Sequence, residues 1–319
     1  MRVLDSHLHV WDPEVLTYTW LDGPYDYRFA EVELEHDPLD AERVECVFVQ
    51  AETISDDFVG EVRWVESSAD RLGVVGIVAG AQLHRGVDTA THLEELGTHP
   101  LVVGVRHNLQ GDQDGLAMSS AFVTGAREVA TRGWSFDVCV RADQLPDIAR
   151  LAGAIPELRM VLDHLGKPQV GTADAPLAPT VEWVRDIEEL AKHPEVFCKL
   201  SGLPAEAGGR WSREQFTPFL DAAADAFGVE RLLWGSDWPV SAIGPAEVGD
   251  PHAPDDGSAT YQATARQRWL DAVVAWADER GHDVDALLWG NARRAYRLDE
   301  PRPADTARRP GLLGRLFGK

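Results

Sequence analysis

Residues 3–10 read VLDSHLHV, an apolar β-rich run carrying Asp5, His7 and His9. On a strand, residues two apart project to the same side, so the imidazoles of His7 and His9 point together. An isolated His-x-His is a weak motif, and this one gains meaning from the pattern around it. Seven further runs of similar character begin near Glu45 (ECVFVQ), Val74 (VVGIVAG), Leu101 (LVVGVRH), Trp134 (WSFDVCV), Arg159 (RMVLDHLG), Val196 (VFCKLSG) and Arg231 (RLLWGSD). Most are separated by segments with apolar residues three to four apart, such as FVGEVRWVESSAD, MSSAFVTGAREVATRG, LPDIARLAGAI and VEWVRDIEELAKHP. That is the helical period. Strand and helix in alternation, with crossovers of this length, require parallel strands. Eight such repeats with nearly continuous apolar strands predict one closed (β/α)8 TIM barrel over residues 1–299, not an open doubly wound sheet. No Gly-x-Gly-x-x-Gly follows the first run, which also weighs against a dinucleotide-binding fold.

A barrel of this kind carries its chemistry at the C-terminal ends of the strands. Polar side chains collect there. The second run ends in Gln50 and Glu52, the fourth in Arg106, His107 and Asn108, and the fifth at Arg141. The sixth ends in Asp163, His164 and Lys167, the seventh in Lys199 and Ser201, and the eighth in Asp237 and Trp238. The other histidines, His36, His84, His92, His99, His193, His252 and His282, are read as surface or loop residues. Three long connections, residues 12–40, 203–216 and 239–262, leave from the same end, where substrate-binding loops belong. Trp11, Trp20, Trp211 and Trp238 lie in or beside them, either lining a ligand pocket or capping the barrel mouth as packing.

Closure sets the eighth strand beside the first, so Asp237 is expected to meet His7 and His9. Two histidines and a carboxylate with an open position suit one divalent ion, Zn²⁺ above all, poised to activate water. His164 would join as a further ligand or as an acid/base. The same residues also serve without an ion, Asp237 taking a proton from water while the histidines polarise a carbonyl. Arg106, Arg141 and Lys199 are natural holders of a carboxylate, an oxyanion or sugar hydroxyls, although an arginine on a barrel strand also reads as a structural ion pair. The expected catalytic set is Asp237, His164, Arg106 and Lys199, with His107, Arg141, Trp11 and Trp238 binding substrate. Asp163 neighbours His164 and is expected on the opposite face of its strand, with a partner behind the barrel.

The 319 residues carry 30 Lys+Arg against 53 Asp+Glu, a formal net charge of −23. That balance argues against nucleic acid or an anionic membrane as the main partner. No 18-residue apolar span and no apolar leader interrupt the sequence. The three cysteines, Cys46, Cys139 and Cys198, form no Cys-x-x-Cys pair and read as buried reduced thiols. A cytoplasmic enzyme is expected. The tail from Glu300, EPRPADTARRPGLLGRLFGK, holds three prolines and five cations and is read as a disordered basic extension over residues 300–319.

The set DSHLHVWD, GVRHNLQ, VLDHLGKP, CKLSGL, LLWGSDWP and WGNARRAYRL, in this order from Arg2 to about Leu298, resembles the amidohydrolase-related barrels. Within them it is similar to the branch of sugar lactonases acting on L-fucono- and L-rhamnonolactones. That branch also includes lactonases for 4-sulfomuconolactone and 2-pyrone-4,6-dicarboxylate. The resemblance implies hydrolysis of a cyclic ester by activated water, with Asp237 as the strand-eight general base, His7 and His9 as the strand-one pair, and His164 as the strand-six histidine. Strand four offers Arg106 and His107 but no bridging Lys or Glu, so a binuclear centre is not expected. Strand five offers Phe136, Asp137 and Arg141 but no histidine. The branch includes metal-containing and metal-independent enzymes, which leaves one Zn²⁺ or none. The expected substrate is a small lactone of the 1,4- or 1,5-aldonolactone type. The alternative is a metal-dependent decarboxylase of the same superfamily, and the missing strand-five histidine counts against it.

Overall fold

The computed structural model describes residues 1–245 and 259–300. Eight parallel strands run β1 Arg2–Leu8, β2 Arg43–Val49, β3 Val74–Gly80, β4 Val102–Asn108, β5 Ser135–Cys139, β6 Arg159–Leu162, β7 Val196–Leu200 and β8 Leu232–Trp234, and each pairs with the next in sequence. The barrel closes where the chain leaves β8: Trp238 bridges Leu8 in parallel, Asp237 N–H donates to His7 O at 2.8 Å, and His9 N–H donates to Trp238 O at 2.8 Å. The seam is tight, since a Cβ on Gly235 would sit 2.8 Å from that of His7. The main helices that follow the strands are α1 Glu31–Glu35, α2 Phe58–Leu72, α3 Val87–Leu96, α4 Ser120–Thr131, α5 Leu145–Ala154, α6 Val181–Ala191, α7 Arg213–Phe227 and α8 Ala265–Arg280. Hydroxyls of Ser119, Thr180 and Ser212 accept from N–H groups in the first turns of α4, α6 and α7, which fixes where those helices begin. On α6 Ile187 and Leu190 are buried as the apolar stripe requires, whereas Val181 in the first turn is exposed.

Two apolar layers result. The larger lies between strands and helices, and it holds the buried, unpaired Cys46 and Cys198. The smaller forms the barrel floor, where Leu4, Val47, Val78, Val161, Phe197 and Leu233 meet Trp289, Ala292, Ala295 and Tyr296. The last four come from a wide helical turn, Ala286–Gly290, and a short helix, Asn291–Ala295, that plug the barrel from below. The expected tail over residues 300–319 falls, from residue 301 on, outside the described residues, as do His252 and most of the loop after β8. Among the described residues no helix is long and apolar enough to cross a membrane.

Strand β1 breaks its own alternation. Asp5 pairs with Cys46 but Leu8 pairs with Phe48, so three steps on β1 span two on β2. That extra residue is a β-bulge, and it reverses which residues face inward. Asp5 faces outward to Arg266 of α8, while His7 and His9 face the barrel mouth. His92, read above as a surface or loop residue, lies in α3 with its ring nitrogen 2.8 Å from Gly80 O.

Glu61, in the first turn of α2, is fully buried. Its Oε1 accepts from Ala51 N–H at 2.9 Å, and Oε2 has no hydrogen-bond partner among the described residues. Burial pushes this carboxyl up to about 8, against the opposing pull of the Ala51 N–H and Arg106. The folded protein thus keeps a proton that the unfolded chain releases near 4.5. Its stabilising effect is whole below that pH and is lost as pH rises toward the folded value, at about 1.4 kcal/mol per pH unit. Glu61→Gln should therefore flatten the fall in unfolding free energy between about pH 5 and 8, read by urea denaturation at a series of pH values. Equal slopes for the two proteins would show that Glu61 is ionised in the fold.

Candidate active site

Asp237 follows β8 in a left-handed conformation, φ +56°, which turns its carboxylate into the mouth. Its Oδ1 lies 3.7 Å from His7 Nε2, 3.6 Å from His9 Nε2 and 3.8 Å from His164 Nε2. Its Oδ2 accepts from the Ser241 hydroxyl at 2.7 Å. The four residues expected to converge from strands one, six and eight do so. His9 Nδ1 lies 2.8 Å from Val49 O, and a carbonyl only accepts, so Nδ1 carries hydrogen and Nε2 is the nitrogen left to offer a lone pair inward. His7 Nε2 and His9 Nε2 are 3.0 Å apart. His164 Nδ1 contacts Ser201 Oγ at 2.9 Å, and the ring packs so closely on Gly202 that a Cβ there would collide with it.

Burial sets the protonation of these groups. It pushes His164 down to about 4, and burial together with Lys199 holds His7 well below the ordinary imidazole value. Burial would raise the Asp237 carboxyl, but its nearness to His164, His9 and His7 outweighs it and holds the group below the usual carboxylate range.

Asp163 is not behind the barrel. Strand β6 stops at Leu162, and the chain then turns through positive φ at His164 and Leu165, so strand alternation no longer applies. Asp163 Oδ1 lies 3.2 Å from His7 Nδ1 and 2.9 Å from Lys199 Nζ, and Oδ2 lies 3.4 Å from Arg106 Nη1. Lys199, expected to touch substrate, is fully buried one layer below the histidines. Its Nζ also lies 2.6 Å from Asp137 Oδ2, which receives the Tyr296 hydroxyl at 2.7 Å. Burial pushes Asp137 up to about 6 despite Lys199.

An open cavity of about 430 Å³ covers the cluster, lined by His9, His164, Asp237, Arg106, Trp11 and Trp20. Of the expected substrate-binding residues only Trp11 is in this wall. His107 alternates with Arg106 and so points outward, accepting from Leu83 N–H and lying 2.9 Å from Asp112. Arg141 pairs with Asp143 and Asp114 in a neighbouring depression and is 43% exposed. Trp238 is buried against Phe29 and donates its indole N–H to Tyr261. The sequence reading did not assign Glu52, Asn108, Gln110, Lys167 and Glu206 to the site, yet all line the cavity. Asn108 is the last residue of β4, and Glu52, Gln110 and Lys167 follow strand ends; Glu206 sits in a short helix, Leu203–Glu206, within a loop that has no periodic signal. Lys167 Nζ donates to Gln110 Oε1 at 2.7 Å and lies 3.7 Å from Glu206.

The side-chain nitrogens of His7 and His9 and an Asp237 oxygen lie within 4.8 Å of one another, all buried. Two imidazoles and a carboxylate, one ring already turned lone pair inward, fit a single divalent ion of the Zn²⁺ type. His7, Asp163 and His164 are equally close, but the Asp163 carboxylate is already shared by Lys199 and Arg106.

A closed barrel whose first strand presents His-x-His to an aspartate beyond the eighth is the frame of the amidohydrolases. The chain belongs to the amidohydrolase family, whose model matches residues 4–298. It is 31% identical to the L-fucono-1,5-lactonase of Burkholderia ambifaria over 93% of this chain and 96% of that protein. It is 29% identical to the L-fucono-1,5-lactonase of Burkholderia multivorans, over 94% and 98% respectively. Among solved structures, an amidohydrolase from Burkholderia multivorans with bound Zn matches with a TM-score of 0.75 at 28% identity, covering 93% of this chain and 99% of that one.

The seam that aligns the cluster rests on a buried ion pair: Arg266 Nη2 and Nε lie 3.0 and 3.2 Å from Asp5 Oδ2. Asp5 Oδ1 meanwhile accepts from Ser236 N–H at 2.8 Å. Arg266→Met should cost about 3–5 kcal/mol in denaturant unfolding, because it leaves the Asp5 carboxylate buried without its cation. A loss below about 1 kcal/mol would mean that the backbone donors alone satisfy Asp5.

Proposed function

We infer that this protein hydrolyses a small uncharged lactone rich in hydroxyl groups, of the 1,4- or 1,5-aldonolactone type, to its hydroxy acid. The observation that carries the substrate class is the charge of the cavity wall. Glu52, Glu206 and Asp237 stand there against Arg106 and Lys167. Both cations are already engaged, Arg106 by Gln50 O at 2.5 Å and by Asp163, Lys167 by Gln110 and Glu206. Of the three anchors that a substrate carboxylate would use, Lys199 is sealed below the cavity and Arg141 lies outside it. A dicarboxylate or sulfonated lactone would meet a wall with a negative excess, and so would the acid substrate of a decarboxylase. Hydroxyl groups, in contrast, find carboxylate acceptors at Glu52 and Glu206 and amides at Asn108 and Gln110. Trp11 and Trp20 supply apolar faces for a sugar ring. The lactonases among the relatives support the reaction type.

Asp237 Oδ1 faces the cavity while Ser241 holds Oδ2, so one oxygen is aimed and the other anchored. Asp237 takes a proton from water as the water oxygen bonds to the lactone carbonyl carbon. The oxyanion develops beside the His164 imidazole and the Arg106 guanidinium. The ring C–O bond then breaks, and the departing alkoxide takes the proton from the Asp237 carboxyl. His7, His9 and Asp237 would hold a divalent ion, which when bound supplies water acidification and carbonyl polarisation.

Acid release from a panel of neutral aldonolactones and dicarboxylate lactones tests this reading. Turnover should be confined largely to the neutral set, and Asp237→Asn should lower it by about 10²–10⁴-fold with an unchanged far-ultraviolet circular dichroism spectrum. Turnover of the charged lactones alone would overturn the substrate class. Undiminished turnover in the variant would remove Asp237 as the base.

A further inference from the structure

The contacts of His7 pose a problem of hydrogen bookkeeping. With its Nδ1 hydrogen committed to Val49 O, a neutral His9 turns an Nε2 lone pair toward His7 Nε2 at 3.0 Å. Two lone pairs at that distance repel. Either His7 Nε2 carries hydrogen and donates to His9, or a cation lies between the rings and both nitrogens are ligands. The two cases require opposite tautomers of His7, and therefore opposite partners at its Nδ1. Both partners are present. Lys199 Nζ, a pure donor, lies 2.9 Å from Nδ1, and Asp163 Oδ1, an acceptor when ionised, lies 3.2 Å from it.

We propose that Lys199 and Asp163 form a two-way partner for His7 Nδ1 that lets the ring exchange tautomers between a metal-free and a metal-bound site. In the metal-free site Lys199 donates to Nδ1 and the Nε2 hydrogen bonds to His9. In the loaded site hydrogen is on Nδ1, donated to Asp163, and the Nε2 lone pair is free to ligate. One proton leaves Nε2 and one arrives at Nδ1, so the imidazole stays neutral and Lys199 keeps its charge. Lys199 keeps Asp137 at 2.6 Å and stands 2.9 Å from Asp163 in both states, and the buried Asp163 Oδ1, which has no hydrogen-bond partner among the described residues, gains one when His7 Nδ1 carries hydrogen. His7, Lys199, Asp163 and Asp137 are all fully buried, so water does not substitute for either partner. Lys199 and Asp163 are thus positioning residues acting through His7. The inference rests on the reading of His7, His9 and Asp237 as a metal set, and not on the identity of the lactone.

Long-range ¹H–¹⁵N correlation spectra of the full-length protein labelled in histidine report the tautomer directly, with His7→Gln identifying the His7 signals. Chelator-treated protein should show hydrogen on His7 Nε2, and one equivalent of Zn²⁺ should move it to Nδ1. Asp163→Ala should weaken Zn²⁺ binding by about 10–100-fold without changing the metal-free tautomer. Asp137→Ala, which removes one carboxylate from the same cluster without touching His7, should weaken it far less. Hydrogen on Nδ1 in the metal-free protein overturns the proposal, as does equal weakening by the two variants. Failure of the wild-type protein to bind Zn²⁺ while still releasing acid from a lactone overturns it too, and leaves the hydrolytic reading standing. The tautomer measurement needs no variant at Asp163, so misfolding of that variant does not shield the proposal.

Discussion

The mouth of this barrel depends on one extra residue in its first strand. A regular β1 would send Asp5, His7 and His9 to one side. The bulge between Asp5 and Leu8 divides them, so Asp5 reaches outward to Arg266 on α8 while the two imidazoles reach inward. The outward half is structural. Asp5 also accepts from Ser236 N–H, which fixes the turn that carries Asp237. The inward half is chemical, because that turn delivers Asp237 to the same imidazoles. Bulges beside functional sites commonly re-aim a side chain, and here a single one registers both ends of the chain's barrel against each other.

Below the histidines the interior is layered by polarity. The floor is aliphatic and aromatic, from Leu4 through Phe197 to the plug residues Trp289 and Tyr296. Above it lies a charged layer in which Lys199 and Arg106 face Asp137 and Asp163. Such charges are tolerable in a low-dielectric interior only when each is paired, so the layer stands or falls as a unit. Tyr296 joins the two layers by giving its hydroxyl to Asp137, which couples the C-terminal plug to residues two contacts from the cavity. The arrangement fixes His7 from beneath, where neither solvent nor substrate reaches.

Much of this was legible in the sequence, and the misses share a cause. Strand starts followed from apolar runs, and the meeting of His7, His9, His164 and Asp237 followed from closure plus position at strand ends. What failed were inferences that extended strand alternation past the point where the strand ends or bulges. Asp163 was assigned to the outside because it neighbours His164, yet positive φ at His164 and Leu165 brings both inward. Depth was also invisible: Lys199 lies on an inward position like the ligands but one layer lower, and one-dimensional pattern does not distinguish floor from mouth. His107 was misassigned by the same neglect of side, since it alternates with the inward Arg106. Glu206, which stands 3.7 Å from Lys167, lies in a one-turn helix of a loop where no period exists to be read.

The charge of the wall bears on the product as well as on the substrate. Hydrolysis of an uncharged lactone creates a carboxylate where none existed. A cavity built to grip carboxylates would hold that product and slow its exchange for fresh substrate. Here the two cations in the wall are paired with Glu52, Glu206 and Asp163, and the protein as a whole carries a net charge of −23. Both the local and the long-range field favour departure of an anion while leaving an uncharged ring unaffected. On this reading the acidity of the mouth gives the reaction a direction of traffic, because lactone enters without electrostatic cost and the hydroxy acid leaves down the potential.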